Sequence, residues 1–197
     1  MHANLLIFDT ATEYCSVALL TGGQTFSYDE HCKNQHAAKL LGIIDKLLAQ
    51  AKINLQDLDA ISFGCGPGSF TGVRIAISVA QGLAYGLHKP VIPISTLQIM
   101  AQTAYQQQGI KRAHIALDAR MQQIYCGVYA LDENALMQPC GELELLFGNV
   151  EDYINVMPVA SAALPLALSL FSQGKAIAPE LAQPIYLRDD VAHKKQT

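Results

Sequence analysis

The chain has 197 residues, 51% hydrophobic and 15% charged, with a formal net charge of −4. A chain of that length buries about 70% of its unfolded surface and needs no disulfide or metal to fold. The composition excludes disorder, and the negative balance excludes a global basic field for nucleic acid, so any RNA role has to be local or supplied by another subunit.

Residues 5–9, 16–21 and 25–31 read as three strands, with Gly22-Gly23 making the second connection a hairpin. A helix follows over 35–52, its Leu40, Leu41, Ile43, Ile44, Leu47 and Leu48 on one arc. Strand 60–64 ends in the glycine cluster GCGPGSFTG, and a second helix covers 71–88. Then come strand 90–94, helix 96–108, strands 113–118 and 124–130, a strand near 142–147 and a helix over 160–173. The tail AQPIYLRDDVAHKK reads as an ordered strand or loop with a polar end. The uncharged stretch from Tyr153 to Gly174 is interrupted by Pro158 and Pro165 and reads as a buried helix, not a membrane span. The start, MHANLLIFD, has no basic leader, against a signal peptide. Five cysteines (Cys15, Cys32, Cys65, Cys126, Cys140) with no C-x-x-C spacing predict reduced thiols in a cytoplasmic protein.

Alternating strands and helices imply an α/β fold. An internal echo sharpens this. IFDTATEYCSVALL and ALDARMQQIYCGVY each hold an apolar strand ending in aspartate, Asp9 or Asp118, then a polar turn and a second apolar strand. A unit used twice predicts two similar halves, 1–100 and 101–197, as in the actin-like nucleotide-binding architecture. Strand–turn–strand units are common, so a chance match stays open.

Residues 64–72 stand between strand and helix, where an anion can sit on helix amides. The Walker pattern fails for want of a lysine after Gly72, and the spacings of the dinucleotide fingerprint and the nucleophile elbow fail as well. A tight turn that caps the second helix is the simpler reading. Asp9, Thr10 and Asp118 are the weak candidates for a nucleotide–Mg²⁺ site, with turn formation as the alternative. Arg120 suits a phosphate or carboxylate. His31 and His36 are five apart, which turns the second ring about 140° from the first and predicts no shared metal. Cys65 has no visible base and reads as a small buried residue.

On the second helix, Arg74, Ser78, Gln81 and Tyr85 form a narrow polar strip and the remainder is an apolar arc of about 220°. A surface helix needs about 100°. The surplus meets either this chain's own core or another chain. With the first helix it could form half of a four-helix interface. The candidate partner residues are His36, Leu40, Leu41, Ile44 and Leu47 on the first helix, Val73, Ile77, Ala80 and Ala84 on the second, and Arg120. Ala80 is expected on the partner side because small residues let helices approach closely.

IFDTATEYCSVALL, FGCGPGSFTGVRIAISVAQGLA, ALDARMQQIYCGVY and PIYLRDDVAHKK resemble, in order, the bacterial TsaB family, also called YeaZ. The resemblance implies an actin-like fold of two ribonuclease-H-like halves and a non-catalytic subunit. That subunit would pair with the transferase TsaD, with the TsaE ATPase joining them, in forming N6-threonylcarbamoyladenosine at position 37 of tRNA. It implies no cofactor on this chain, ATP or ADP and metal on the partner subunits, tRNA contact only through the complex, and a homodimer when alone. TsaD carries a metal-binding H-x-x-x-H helix; here HCKNQHAAKLL keeps only His36 near that pattern. The family carries a longer segment before the last helix, so the second half is expected to be trimmed or in part absent from this sequence. The rival readings are an ATP-dependent phosphotransferase using Asp9 and Asp118, and a glycoprotease-type metallopeptidase.

Overall fold

Glycines and alternating apolar residues open the chain as a meander. In a computed structural model that describes residues 3–188, β1 (Leu5–Asp9), β2 (Tyr14–Thr21) and β3 (Gln24–His31) are antiparallel neighbours. Gly22 and Gly23 both take positive φ, 55° and 75°, the conformation a two-residue hairpin requires. After α1 (His36–Ala51), β4 (Ala60–Gly64) joins β1 in parallel. After α2 (Phe70–Leu87), β5 (Val91–Ile94) joins β4 in parallel. The sheet order is β3-β2-β1-β4-β5.

The central strand β1 is buried on both faces, as a run of LLIFD demands. Leu6 and Phe8 pack with Leu40, Ile44, Val73 and Ala80 beneath α1 and α2. Leu5 and Ile7 point the other way and pack with Ala163 and Leu164.

α3 (Thr96–Gln108) leads into a second sheet of β6 (Arg112–Arg120), β7 (Gln123–Leu131), β8 (Met137–Pro139) and β9 (Glu144–Phe147). β8 and β9 pair successive stretches of β7, Tyr129 opposite Pro139 and Gln123 opposite Phe147, so together they fill one strand position. This sheet repeats only the antiparallel portion of the first. Where a counterpart of β4 would run parallel to β6, one bridge between Ile115 and Ile154 stands instead. The second half is therefore the trimmed one.

The chain then returns. α4 (Ala160–Ser172) packs on the first sheet, on the face opposite α1 and α2. Burying Leu164 and Leu166 there contributes about 1.5–3 kcal/mol each. A bridge from Ile177 to Val91 extends this attachment along β5. A cut at residue 100 falls inside α3, and α4, from the second span, covers the first sheet. Among the described residues no helix is long and apolar enough to cross a membrane. The short strand β8 was not anticipated, because MQP carries no alternation to detect. Of the tail, 182–188 is described and the remainder lies outside the described residues.

Candidate functional site

Asp9 ends β1 and is fully buried. Its Oδ1 accepts a hydrogen bond from the Ala11 amide at 2.8 Å, and its Oδ2 one from the Thr96 hydroxyl at 2.9 Å. Burial raises its pKa to about 6, against these two hydrogen bonds, which lower it. Thr10, also buried, donates from its hydroxyl to the Gly72 carbonyl at 2.7 Å. The Ser69 amide donates to the Ala11 carbonyl at 2.7 Å. The glycine loop thus lies directly on the β1–β2 turn. A Cβ on Gly64 would stand 1.8 Å from Asp9 Oδ2, and one on Gly72 would stand 1.9 Å from the Thr10 carbonyl oxygen. Asp9 and Thr10, the side chains that could serve a phosphate at this corner, are thus covered and engaged by the protein itself, while Gly68–Gly72 face the cleft described below. The capping role expected for the loop is present: the Ser69 hydroxyl accepts from the Gly72 amide at 3.4 Å.

Asp118 ends the corresponding stretch of β6. Its Oδ1 accepts from the Arg120 amide at 2.7 Å, the same i to i+2 bond that Asp9 makes with Ala11. The echo in sequence is thus a repeated aspartate-to-amide bond, although the connections that follow differ in conformation. Asp118, however, is 51% exposed and pairs with Arg120 at 3.3 Å, the arginine side chain being 80% exposed. Arg120, Met121 and Gln122 all have φ between 55° and 67°. A left-handed conformation costs about 1–2 kcal/mol for a residue with a Cβ.

Between the two turns lies an open cleft of about 890 Å³. The β1–β2 turn, the starts of α1 and α2, and the β6–β7 turn line it, together with residues 185–188. At its rim Phe70 and Tyr186 stack, ring centroids 6.0 Å apart, and the Arg74 guanidinium lies 3.7 Å over Phe70. Phe70, Tyr186, Arg188 and Thr96 carry no sequence signal of these positions, since each is placed by a contact across tens of residues or more.

The histidines lie in different settings. His31 Nε2 is 3.1 Å from Glu13 Oε2 at the surface, while His36 is buried at the start of α1 with Nε2 unpartnered among the described residues. Among the described residues no three His, Cys, Asp or Glu side chains gather as a metal site would need. Cys65 is buried, which pushes its thiol up to about 12.

The partner residues expected on the helices separate sharply. Leu40, Ile44 and Leu47 on α1, and Val73, Ile77, Ala80 and Ala84 on α2, are all buried in the chain's own core. They cannot meet a partner. Leu41, 49% exposed, faces out. The expectation for Ala80 is corrected: the alanine stripe packs under the helix, where small side chains let α2 sit close to its own sheet. The outward side carries Gly82 and Gly86, with partly covered Val79 and Leu83 beside them. A Cβ on Gly82, Gly86 or Gly42 of α1 would meet nothing within 4 Å. Arg120 lies at the cleft, away from this face.

The two sheets and the repeated aspartate turn define an actin-like α/β protein whose first ligand corner is closed. Comparison with known proteins narrows the class. The family model TsaD, described as tRNA N6-adenosine threonylcarbamoyltransferase, matches residues 29–157. The tRNA threonylcarbamoyladenosine biosynthesis protein TsaB of Escherichia coli K12 is 37% identical over 224 aligned positions, covering 97% of each chain. The same-named protein of Haemophilus influenzae is 47% identical over 63% of this chain and 52% of its own. Among solved structures, YeaZ from Pseudomonas aeruginosa superposes with a TM-score of 0.89 at 38% identity, over 94% of this chain and 100% of that one. A second structure from that organism, described as similar to peptidase YeaZ, gives 0.90 at 39% identity with the same coverage. The chain belongs to the TsaB family.

Proposed function

We propose that this chain is a cytoplasmic, non-catalytic subunit in the synthesis of tRNA threonylcarbamoyladenosine, pairing with a TsaD-type transferase alongside the TsaE ATPase. The observation that carries the reading is the filled corner: Asp9 and Thr10, the groups best placed to serve a nucleotide, are spent on Thr96, Ala11 and Gly72. Catalytic groups, ATP or ADP, and metal then belong to the partners, and tRNA is engaged in the assembled complex. The pairing surface is the outward face of α1 and α2, at Leu41, Gly42, Val79, Gly82, Leu83 and Gly86. Its open glycines allow another helix to approach closely, and its apolar residues favour burial. The same face makes a homodimer when the chain is alone.

A paired substitution tests this. Ala80→Glu puts a carboxylate into the core, which costs several kcal/mol, and unfolds the protein by circular dichroism. Gly82→Glu leaves a folded chain that fails to co-purify with the TsaD-type partner and elutes as a monomer. A Gly82→Glu chain that stays folded and still pairs removes this face from the interface. A micromolar ATP site on the isolated chain, measured by calorimetry, would remove the non-catalytic assignment in favour of the phosphotransferase rival. The metallopeptidase rival would need a bound metal to activate water, and among the described residues no three His, Cys, Asp or Glu side chains gather to hold one.

A further inference from the structure

The cleft mouth combines two features that the pairing surface does not use. Among the described residues, Lys33, Arg120 and Arg188 stand there with Glu13 and Asp118, and Arg74 lies beside them on Phe70. Glu13 is engaged by His31. Beside these cations, Phe70 and Tyr186 are about half exposed, and their rings stack 29° from parallel. The Arg74 guanidinium lies on Phe70, and its Nε donates to the Tyr186 hydroxyl at 3.0 Å.

From this juxtaposition we infer that the cleft mouth binds unpaired nucleotides of a structured RNA, with Tyr186 and Phe70 as the stacking platform and Arg120 as a phosphate contact. An arginine–aromatic stack already in place extends to a planar base without ordering new side chains, so little entropy is lost on binding. Every base offers a π-face, which makes such a platform tolerant of sequence. Among the described residues Arg120 pairs with the exposed Asp118 carboxylate and can exchange it for a phosphate in bidentate geometry. An acidic peptide would satisfy the cations but leave the exposed ring faces uncovered, which is why RNA is favoured. The inference rests on the reading of the chain as a tRNA-modification subunit, and it assigns a direct RNA contact to a chain otherwise expected to meet tRNA only through its partners.

The test is fluorescence anisotropy on the full-length chain with three probes: an RNA hairpin with an unpaired loop, the same RNA as a full duplex, and polyglutamate. The hairpin is expected to bind with a dissociation constant on the order of 10⁻⁶–10⁻⁴ M at physiological salt, and more tightly than the duplex. Tyr186→Ala and Phe70→Ala should each weaken hairpin binding roughly tenfold. Arg120→Ala should lower the salt slope by about one phosphate contact. Phe147→Ala, an exposed aromatic on β9, should change nothing. Circular dichroism of each variant separates lost binding from lost fold. The inference is overturned by absent hairpin binding, by duplex binding equal to hairpin, by binding indifferent to Tyr186 and Phe70, or by polyglutamate competing as well as RNA. Co-purification with the TsaD-type partner is scored on the same samples. Pairing without RNA binding defeats this inference alone, and lost pairing defeats the function proposed above.

Discussion

The β1–β2 turn and the β6–β7 turn share one hydrogen bond in two surroundings. In each, an aspartate at a strand end accepts the amide two residues on, at 2.8 Å for Asp9 and 2.7 Å for Asp118. Around Asp9 the protein closes: Thr96 takes the second oxygen, and Gly64 and Gly72 bring backbone where a Cβ would collide. Around Asp118 the described residues leave the carboxylate half exposed, and the turn projects Arg120 and Met121 into the cleft mouth and solvent. Local sequence sets the turn. Distant packing decides whether its carboxylate is a structural group or one free to meet a ligand.

The contrast breaks most readily at the glycines of the closed corner. Gly64→Ala and Gly72→Ala each force a Cβ to within 2 Å of Asp9 or Thr10. Overpacking of that kind costs about 3 kcal/mol or more, so thermal unfolding should show a melting temperature lower by about 6–12 °C. Gly82→Ala, in open space within α2, should leave stability equal or raised by up to about 1 kcal/mol.

A comparable effect comes from pH. Asp9 carries a folded pKa of about 6 against 3.8 for an unperturbed aspartate. The folded state binds this proton more tightly, so the group's contribution to stability is fully present below about pH 4. It is lost as pH rises through about 6, for a total of about 3 kcal/mol. Asp9→Asn keeps an acceptor for Ala11 and places no charge in the core. It should flatten that part of the stability–pH profile and exceed the parent in stability at pH 8, as read by urea unfolding at several pH values. An unchanged profile would mean that Asp9 is not the buried titrating group.

The open turn should answer in function before stability. Arg120→Ala is expected to leave unfolding within about 0.5 kcal/mol of the parent, as an exposed site should. It should also lower tRNA modification by the reconstituted complex, measured by nucleoside analysis. Full modification would reduce Arg120 to a solvated turn residue. The smallest effect is Met121→Gly, which relieves a left-handed residue at φ 55° and should raise stability by less than about 1 kcal/mol.

Much of this frame is legible in the amino-acid sequence. The helices at 36–51, 70–87, 96–108 and 160–172 follow from periodicity, and the repeated aspartate turn from direct comparison of two segments. What the sequence could not reveal is what lies across the chain. The Gly64–Asp9 and Thr96–Asp9 contacts join residues 55 and 87 positions apart and leave no local mark. The sequence does not tell which side of α2 faces out, because its alanine and glycine stripes are equally small. Close approach was inferred correctly, but the neighbour approached by the alanines is the chain's own sheet. The bridge at Ile154, standing in for a missing strand, has no pattern of its own.

The return of α4 to the first sheet governs how the molecule is made. Leu5 and Ile7 leave a ribosome early, yet the residues that cover them, Ala163 and Leu164, are synthesised more than 150 positions later. Until then the face of the five-stranded sheet that carries Ala18, Ala60, Ile92 and Ile94 lacks its α4 cover, with only Ala3, Ile99 and Leu136 of its buried cluster already made to cover it. Folding cannot proceed vectorially from the amino terminus, and the long loop to be closed slows the final step. A nascent chain stalled before residue 160 is therefore the species most exposed to aggregation and most in need of a chaperone. Protease protection of the β1 region should appear only once α4 has cleared the exit tunnel.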